Sequence, residues 1–153
     1  VRLLEANVQY LGEKLRVKAL AAQVDMPDAG RINRAYASNT PERMFGAYAE
    51  VGCDLWSWIK PAQKRDLIAF VRCETVDMNA VIPDNGIDDP TLRRTYVIAG
   101  LTYAPTGGIN VKADYVLRST GSPNPALNIN PYPQAQPYFT ENGFLNLGVA
   151  YNF

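Results

Sequence analysis

Apolar side chains recur at every second position along most of this chain, most plainly at its C-terminal end. Leu145, Leu147, Val149, Tyr151 and Phe153 alternate with Asn146, Gly148, Ala150 and Asn152, which are small or polar. A period of two predicts a strand with one apolar face and one wet or crowded face. Residues 109–118 repeat the pattern, Ile109, Val111, Ala113, Tyr115 and Leu117 standing against Asn110, Lys112, Asp114 and Arg118. The same reading predicts strands over 1–10, 14–24, 44–55, 66–76 and 94–103, which with 109–118 and 143–153 makes seven. Residues 28–38 read as a short helix or an ordered loop. The expected fold class is all-β and antiparallel, with the whole of 1–153 in one unit.

The connections alternate in length. Residues 11–13, 56–65 (around Pro61) and 104–108 are the shorter turns, while 25–43, 77–93 and 119–142 are long, polar and rich in Pro, Gly and Asn. In a meander this places every shorter turn at one end of the strands and every long loop at the other. The aromatic residues follow the same division: Tyr10, Trp56, Trp58, Tyr103, Tyr151 and Phe153 fall at the short-turn end. Such rings suit a membrane interface, with the apolar body in lipid and the polar edge among headgroups. They would equally cap the core of a soluble barrel.

Fifteen basic and fifteen acidic residues give no net charge, which argues against nucleic acid as the main partner. No apolar run approaches the ~18 residues of a spanning helix; Leu67-Ile68-Ala69-Phe70-Val71 is among the longest. A strand that crosses a membrane gives a much weaker signal than a helix, so this leaves a barrel open. Histidine is absent, removing the commonest general base and metal ligand, and the scattered carboxylates single out no acid–base pair. No enzymatic activity, cofactor or metal is therefore expected. Asp84, Asp88 and Asp89 lack the spacing of a calcium loop and read as a solvated turn.

Three segments carry a family resemblance. Residues 45–55, Phe-Gly-Ala-Tyr-Ala-Glu-Val-Gly-Cys-Asp-Leu, resemble a porin strand that usually reads Gly-x-Tyr-x-Glu-x-x-Tyr-Asp-Leu. Ala69-Phe70-Val71-Arg72-Cys73-Glu74 is similar to the Pro-Phe-Val-Arg-Tyr-Glu strand that follows it, and Lys112-Ala113-Asp114-Tyr115 to the Lys-x-Asp-Tyr strand near the C-terminus. The ending at Phe153 resembles the C-terminal signal read by the outer-membrane barrel-assembly machinery. These features occur in Gram-negative porins resembling the phosphate-selective porin O and P group. The departures are Cys53 and Cys73, which stand where the family usually has Tyr.

The resemblance implies a transmembrane β-barrel in the Gram-negative outer membrane, a passive porin admitting small hydrophilic solutes or ions. Seven strands is odd, whereas bacterial single-chain barrels are even and porins have roughly sixteen. The chain, which opens at Val1 already inside a strand, is therefore expected to be a fragment covering about the C-terminal half of the barrel. Its partners would be outer-membrane lipids, the assembly machinery, small solutes or anions and, as one option, two further copies in a homotrimer.

With the apolar set on lipid, the other set faces the lumen: Arg16, Lys18, Tyr48, Glu50, Arg72, Glu74, Lys112, Asp114 and Arg118 are the pore-lining candidates. Arg16 and Lys18 suggest an anion ladder that Arg72, Lys112 and Arg118 would continue, since rings of cations select anions. Glu50, Glu74 and Asp114 alternate with them, so a charge-compensated wall of weak selectivity stands beside a phosphate or anion preference. Cys53 and Cys73 fall on the apolar face of one hairpin; a disulfide between them needs direct opposition in the ladder, and two small residues facing lipid is the other reading. The rival folds and functions are a soluble β-barrel that binds a small ligand, and a non-channel outer-membrane barrel serving as an adhesin or enzyme scaffold.

Overall fold

In a computed structural model describing residues 1–59, 65–127 and 138–151, seven strands form a single antiparallel sheet in sequence order. They are β1 (Arg2–Leu11), β2 (Leu15–Asp25), β3 (Arg43–Asp54), β4 (Asp66–Val81), β5 (Arg93–Thr106), β6 (Ile109–Thr120) and β7 (Glu141–Tyr151). Helix α1 (Ala29–Tyr36) lies in the β2–β3 connection, within the segment expected to be helix or ordered loop, and the one-turn α2 (Trp56–Ile59) follows β3. The sheet is open: β1 and β7 are its two edges.

Strand ends depart from the sequence reading where polar residues find ladder partners. β4 runs five residues beyond Val76, to Val81, because Asp77 stands opposite both Phe45 and Arg93, and Val81 opposite Arg43. The Arg93 guanidinium lies 3.3 Å from the Asp77 carboxylate, which makes a polar pair compatible with strand. β5 passes through Ala104 and Pro105 at a register shift between Tyr103 and Thr106, leaving only Gly107 and Gly108 as the turn. Proline is tolerated there because an irregular ladder asks no N–H of it.

The register carries one phase through all seven strands. On one face Val17, Val51, Val71 and Ala99 stand side by side, as do Tyr103 and Val111, then Val149. On the other face stand the charged and polar residues. The apolar face is largely uncovered: Leu147 is 77% exposed and Val149 76%. Among the described residues only Ala29 and Phe70 are buried apolar side chains, and Phe70 lies on the polar face. The described residues thus form no conventional apolar core.

At the long-loop end, asparagine side chains knit the connections together. Asn39 donates to the Ile87 carbonyl and accepts from the Ile87 N–H, both at 2.8 Å. Asn85 donates to the Gly30 carbonyl and Asn124 to that of Asp88. Asp88 in turn accepts from Arg93, and Asp89 caps Thr91, so two of the three loop aspartates are engaged in local structure.

Candidate functional site, the polar face of the sheet

All nine sequence-selected lining residues share one face, arranged in rows that cross the strands. Nearest the short turns, Asp54, Ile68, Thr102, Lys112 and Gly148 stand in register from β3 to β7. Above them runs Arg16, Gly52, Phe70, Gly100, Asp114 and Asn146, from β2 to β7. The next row is Lys18, Glu50, Arg72, Ile98, Val116 and Phe144; the one above it is Leu20, Tyr48, Glu74, Tyr96, Arg118 and Asn142.

This face is the concave one. Side chains from β2 through β6, including Arg16, Lys18, Glu50, Phe70, Thr102 and Lys112, line a single cavity of about 280 Å³. In a flat sheet β2 and β6 would be ~19 Å apart, four spacings of ~4.8 Å. Curvature also explains the burial of polar residues here: Asp114 is 7% exposed and Asp54 5%.

Two glycines make the close approaches possible. Gly52 lies between Arg16 and Phe70 in register, and without a side chain there Arg16 crosses β3 to reach Asp66 on β4 at 2.8 Å. Gly100 occupies the corresponding gap beside Phe70, where a Cβ would come within 2.6 Å of the Asp114 Cβ. Lys112 then rests over the Phe70 ring, 4.7 Å from its centroid.

The cations do not form a free ladder. Lys18 pairs with Glu50 at 3.6 Å, Arg72 with Glu74 at 2.7 Å and Lys112 with Asp114 at 3.1 Å, adding to Arg16 with Asp66. Asp114 also accepts from Asn146 at 2.9 Å, and the Arg72 guanidinium lies on the Tyr48 ring at 3.9 Å. Arg118 differs. It has no carboxylate partner among the described residues, its guanidinium lies 5.4 Å from the Phe144 ring centroid, and its Nε is buried without a hydrogen-bond partner. Four of the five candidate cations are thus compensated locally, as the charge-compensated reading expects.

Sequence reasoning missed Asp66, read only as the start of a strand, and the role of Phe70. Nothing in a linear pattern pairs Arg16 with a residue fifty positions away, because the pairing depends on β3 lying between them with a glycine at the crossing point. Asp54, on the same face opposite Ile68, is also an organiser. Its Oδ1 accepts from the N–H groups of Trp56 and Leu67 at 3.0 and 3.1 Å, tying the end of β3 to the start of β4.

No protein-family model, curated protein or solved structure matches this chain. The site is therefore read from its own geometry.

On the opposite face, the aromatic candidates gather at the short-turn end. Tyr10 stands beside Val17, Tyr103 beside Val111 and Tyr151 beside Ile109. Trp56 and Trp58 lie in α2 at the same end, Trp56 being 6.1 Å from Tyr103 between ring centroids and Trp58 lying under the Lys14 ammonium at 5.2 Å. Phe153 lies outside the described residues.

The possible disulfide is corrected by the register. Cys53 stands opposite Ala69, and Cys73 opposite Ala49, so the two thiols are free and four ladder positions apart. At ~3.4 Å per residue that is roughly 14 Å, well beyond the Cα separation a disulfide spans.

Proposed function

We propose that this chain is a wall segment of a Gram-negative outer-membrane β-barrel, working as a passive porin whose polar face lines a water-filled lumen. Small hydrophilic solutes or ions would diffuse along that face, and the protein would do no chemistry on them. The observation that carries the reading is the inverted amphipathicity: the charged face is concave and partly covered, while the apolar face is convex and bare. A soluble barrel that binds a ligand would need the opposite arrangement.

Three further features support it. On the outer face of β5 the apolar stretch is bounded by Arg93 at the loop end and Tyr103 at the turn end, ten residues apart. Ten steps of ~3.4 Å at a tilt of ~45° rise about 24 Å, close to the ~25 Å apolar band of such barrels. Second, rings cluster at one border of that band, and the charged residues Asp25, Arg43, Asp77 and Arg93 occupy the other. Third, a meander of seven strands has β1 and β7 running the same way, so antiparallel closure requires an odd number of further strands. Seven plus an odd number is even, as in bacterial barrels.

The paired cations favour weak charge selectivity over a strong phosphate or anion preference, although the resemblance to the phosphate-selective group implies the latter. The test is the single-channel conductance of the full-length gene product in planar bilayers, with the reversal potential read in a salt gradient. Stable ohmic steps with a small reversal potential are expected. A folded, inserted protein that passes no current would overturn the porin reading and leave the barrel as a scaffold for adhesion or another surface role.

A further inference from the structure

The polar face contains one uninterrupted apolar row. Ile98, Val116 and Phe144 stand in register on β5, β6 and β7, with only Arg72 and its charged neighbours continuing the row on the other side. All three are at least partly exposed, Phe144 at 44%. A water-lined wall gains nothing from a bare apolar strip three strands wide. Directly above it sits Arg118, the one candidate cation without a carboxylate among the described residues, its guanidinium held against Phe144 at 5.4 Å and its buried Nε unsatisfied. Its lateral neighbours, Tyr96 and Asn142, are uncharged.

We propose that Arg118 and the Ile98–Val116–Phe144 row form a docking step for a small organic carboxylate. The anionic end would take the guanidinium, whose planar fork matches a carboxylate in two parallel hydrogen bonds. The hydrocarbon body would cover the apolar row and release its hydration water. Arg16, Lys18, Arg72 and Lys112 cannot serve in this way, since each already holds a carboxylate of the protein. Inorganic phosphate satisfies only the guanidinium and leaves the row bare, so the site selects organic over inorganic anions. This inference rests on the reading of the concave face as open to water and solute.

The experiment follows the Ile98 and Val116 methyl resonances of the full-length protein in detergent micelles, with benzoate, benzyl alcohol and inorganic phosphate as probes. Benzoate should produce saturable shifts at both methyls, and benzyl alcohol and phosphate should bind at least about tenfold more weakly, as expected when a charge-assisted hydrogen bond or the apolar contact is lost. Arg118→Gln should weaken benzoate by a similar factor, Arg118→Lys should retain part of the binding, and Arg31→Gln, on the exposed α1, should change nothing. Equal binding of benzyl alcohol, equal competition by phosphate, or unchanged benzoate binding in Arg118→Gln would each overturn the proposal. If Arg118→Gln does not fold, Phe144→Ala tests the apolar half: unchanged benzoate affinity there overturns it. Conductance measured in parallel separates the two readings, because channels without benzoate binding sink only this site, while benzoate binding without channels sinks only the porin.

Discussion

Arg16 reaches Asp66 because Gly52 leaves the path open, and Lys18 meets Glu50 because the β2–β3 register sets them opposite, whereas the other two compensated cations find partners on their own strands. A carboxylate and a cation two residues apart on one strand share a face, which is how Arg72 holds Glu74 and Lys112 holds Asp114. A partly exposed pair such as Lys18–Glu50 contributes only about 0–1 kcal/mol to stability, so in the proposed pore its main effect would be on the field that a passing ion meets. Replacing Glu50 by Gln leaves Lys18 uncompensated, and the reversal potential should move toward anion preference. A unit charge met at ~4 Å in water is worth about 1 kcal/mol, so the permeability ratio should change a few-fold. Lys18→Gln should move it the other way, and unchanged reversal potentials in both would show that ions do not pass this row. Away from the wall, Ala37 closes α1 with φ 50° and ψ 42°, a left-handed conformation unfavourable for a residue with a Cβ. Ala37→Gly should therefore raise unfolding stability by roughly 1 kcal/mol, read from the denaturation midpoint in detergent.

The β3–β4 hairpin decides the fate of the cysteines. Because Ala49 faces Cys73, Ala49→Cys placed in a Cys53→Ser background should form an intramolecular disulfide under mild oxidation, detected as a loss of maleimide-reactive thiol. The natural pair, Cys53 with Cys73, should remain reactive under the same conditions. A disulfide in the unaltered protein would mean that the hairpin register is wrong by several residues. β7 offers a sharper test of the proposed lipid-facing side, since adjacent residues point opposite ways. Asn146 donates to Asp114 on the polar face, while Leu147 is bare on the other. Leu147→Arg should destabilise the protein in lipid vesicles by about 2–4 kcal/mol, the depth-dependent cost of an arginine near the bilayer midplane. Asn146→Arg should cost much less; equal penalties would remove the distinction between the faces.

Seven strands at ~4.8 Å spacing, with an apolar length of ~34 Å along each strand as on β5, present on the order of 1,000 Å² of bare hydrocarbon on one side. Monomeric soluble proteins seldom leave patches larger than ~600 Å². The chain should therefore associate in detergent-free buffer and become a defined species in detergent above its micelle concentration, as judged by sedimentation velocity. A stable monomer in plain buffer would contradict the lipid-facing assignment. The interlocked asparagines at the loop end make that end more ordered than loop lengths alone suggest, with Asn39 and Asn85 tying the β2–β3 connection to the β4–β5 connection.

The alternation of side chains determined that this protein is built of seven strands, and the short turns between them made the sheet antiparallel, because a period of two assigns each residue to a face without reference to any other strand. For the same reason the nine polar candidates and the aromatic end could be assigned before any pairing was known. Tertiary structure decided everything that depends on register and curvature. Which face is concave, which carboxylate neutralises Arg16, why Arg118 has none, and where Cys53 and Cys73 stand all follow from how neighbouring strands are aligned. Strand ends belonged to the same class: Asp77 reads as loop by itself and becomes strand only when Arg93 is placed opposite it. Periodicity is a property of one strand and survives in the sequence, whereas pairing is a relation between strands and exists only in the fold.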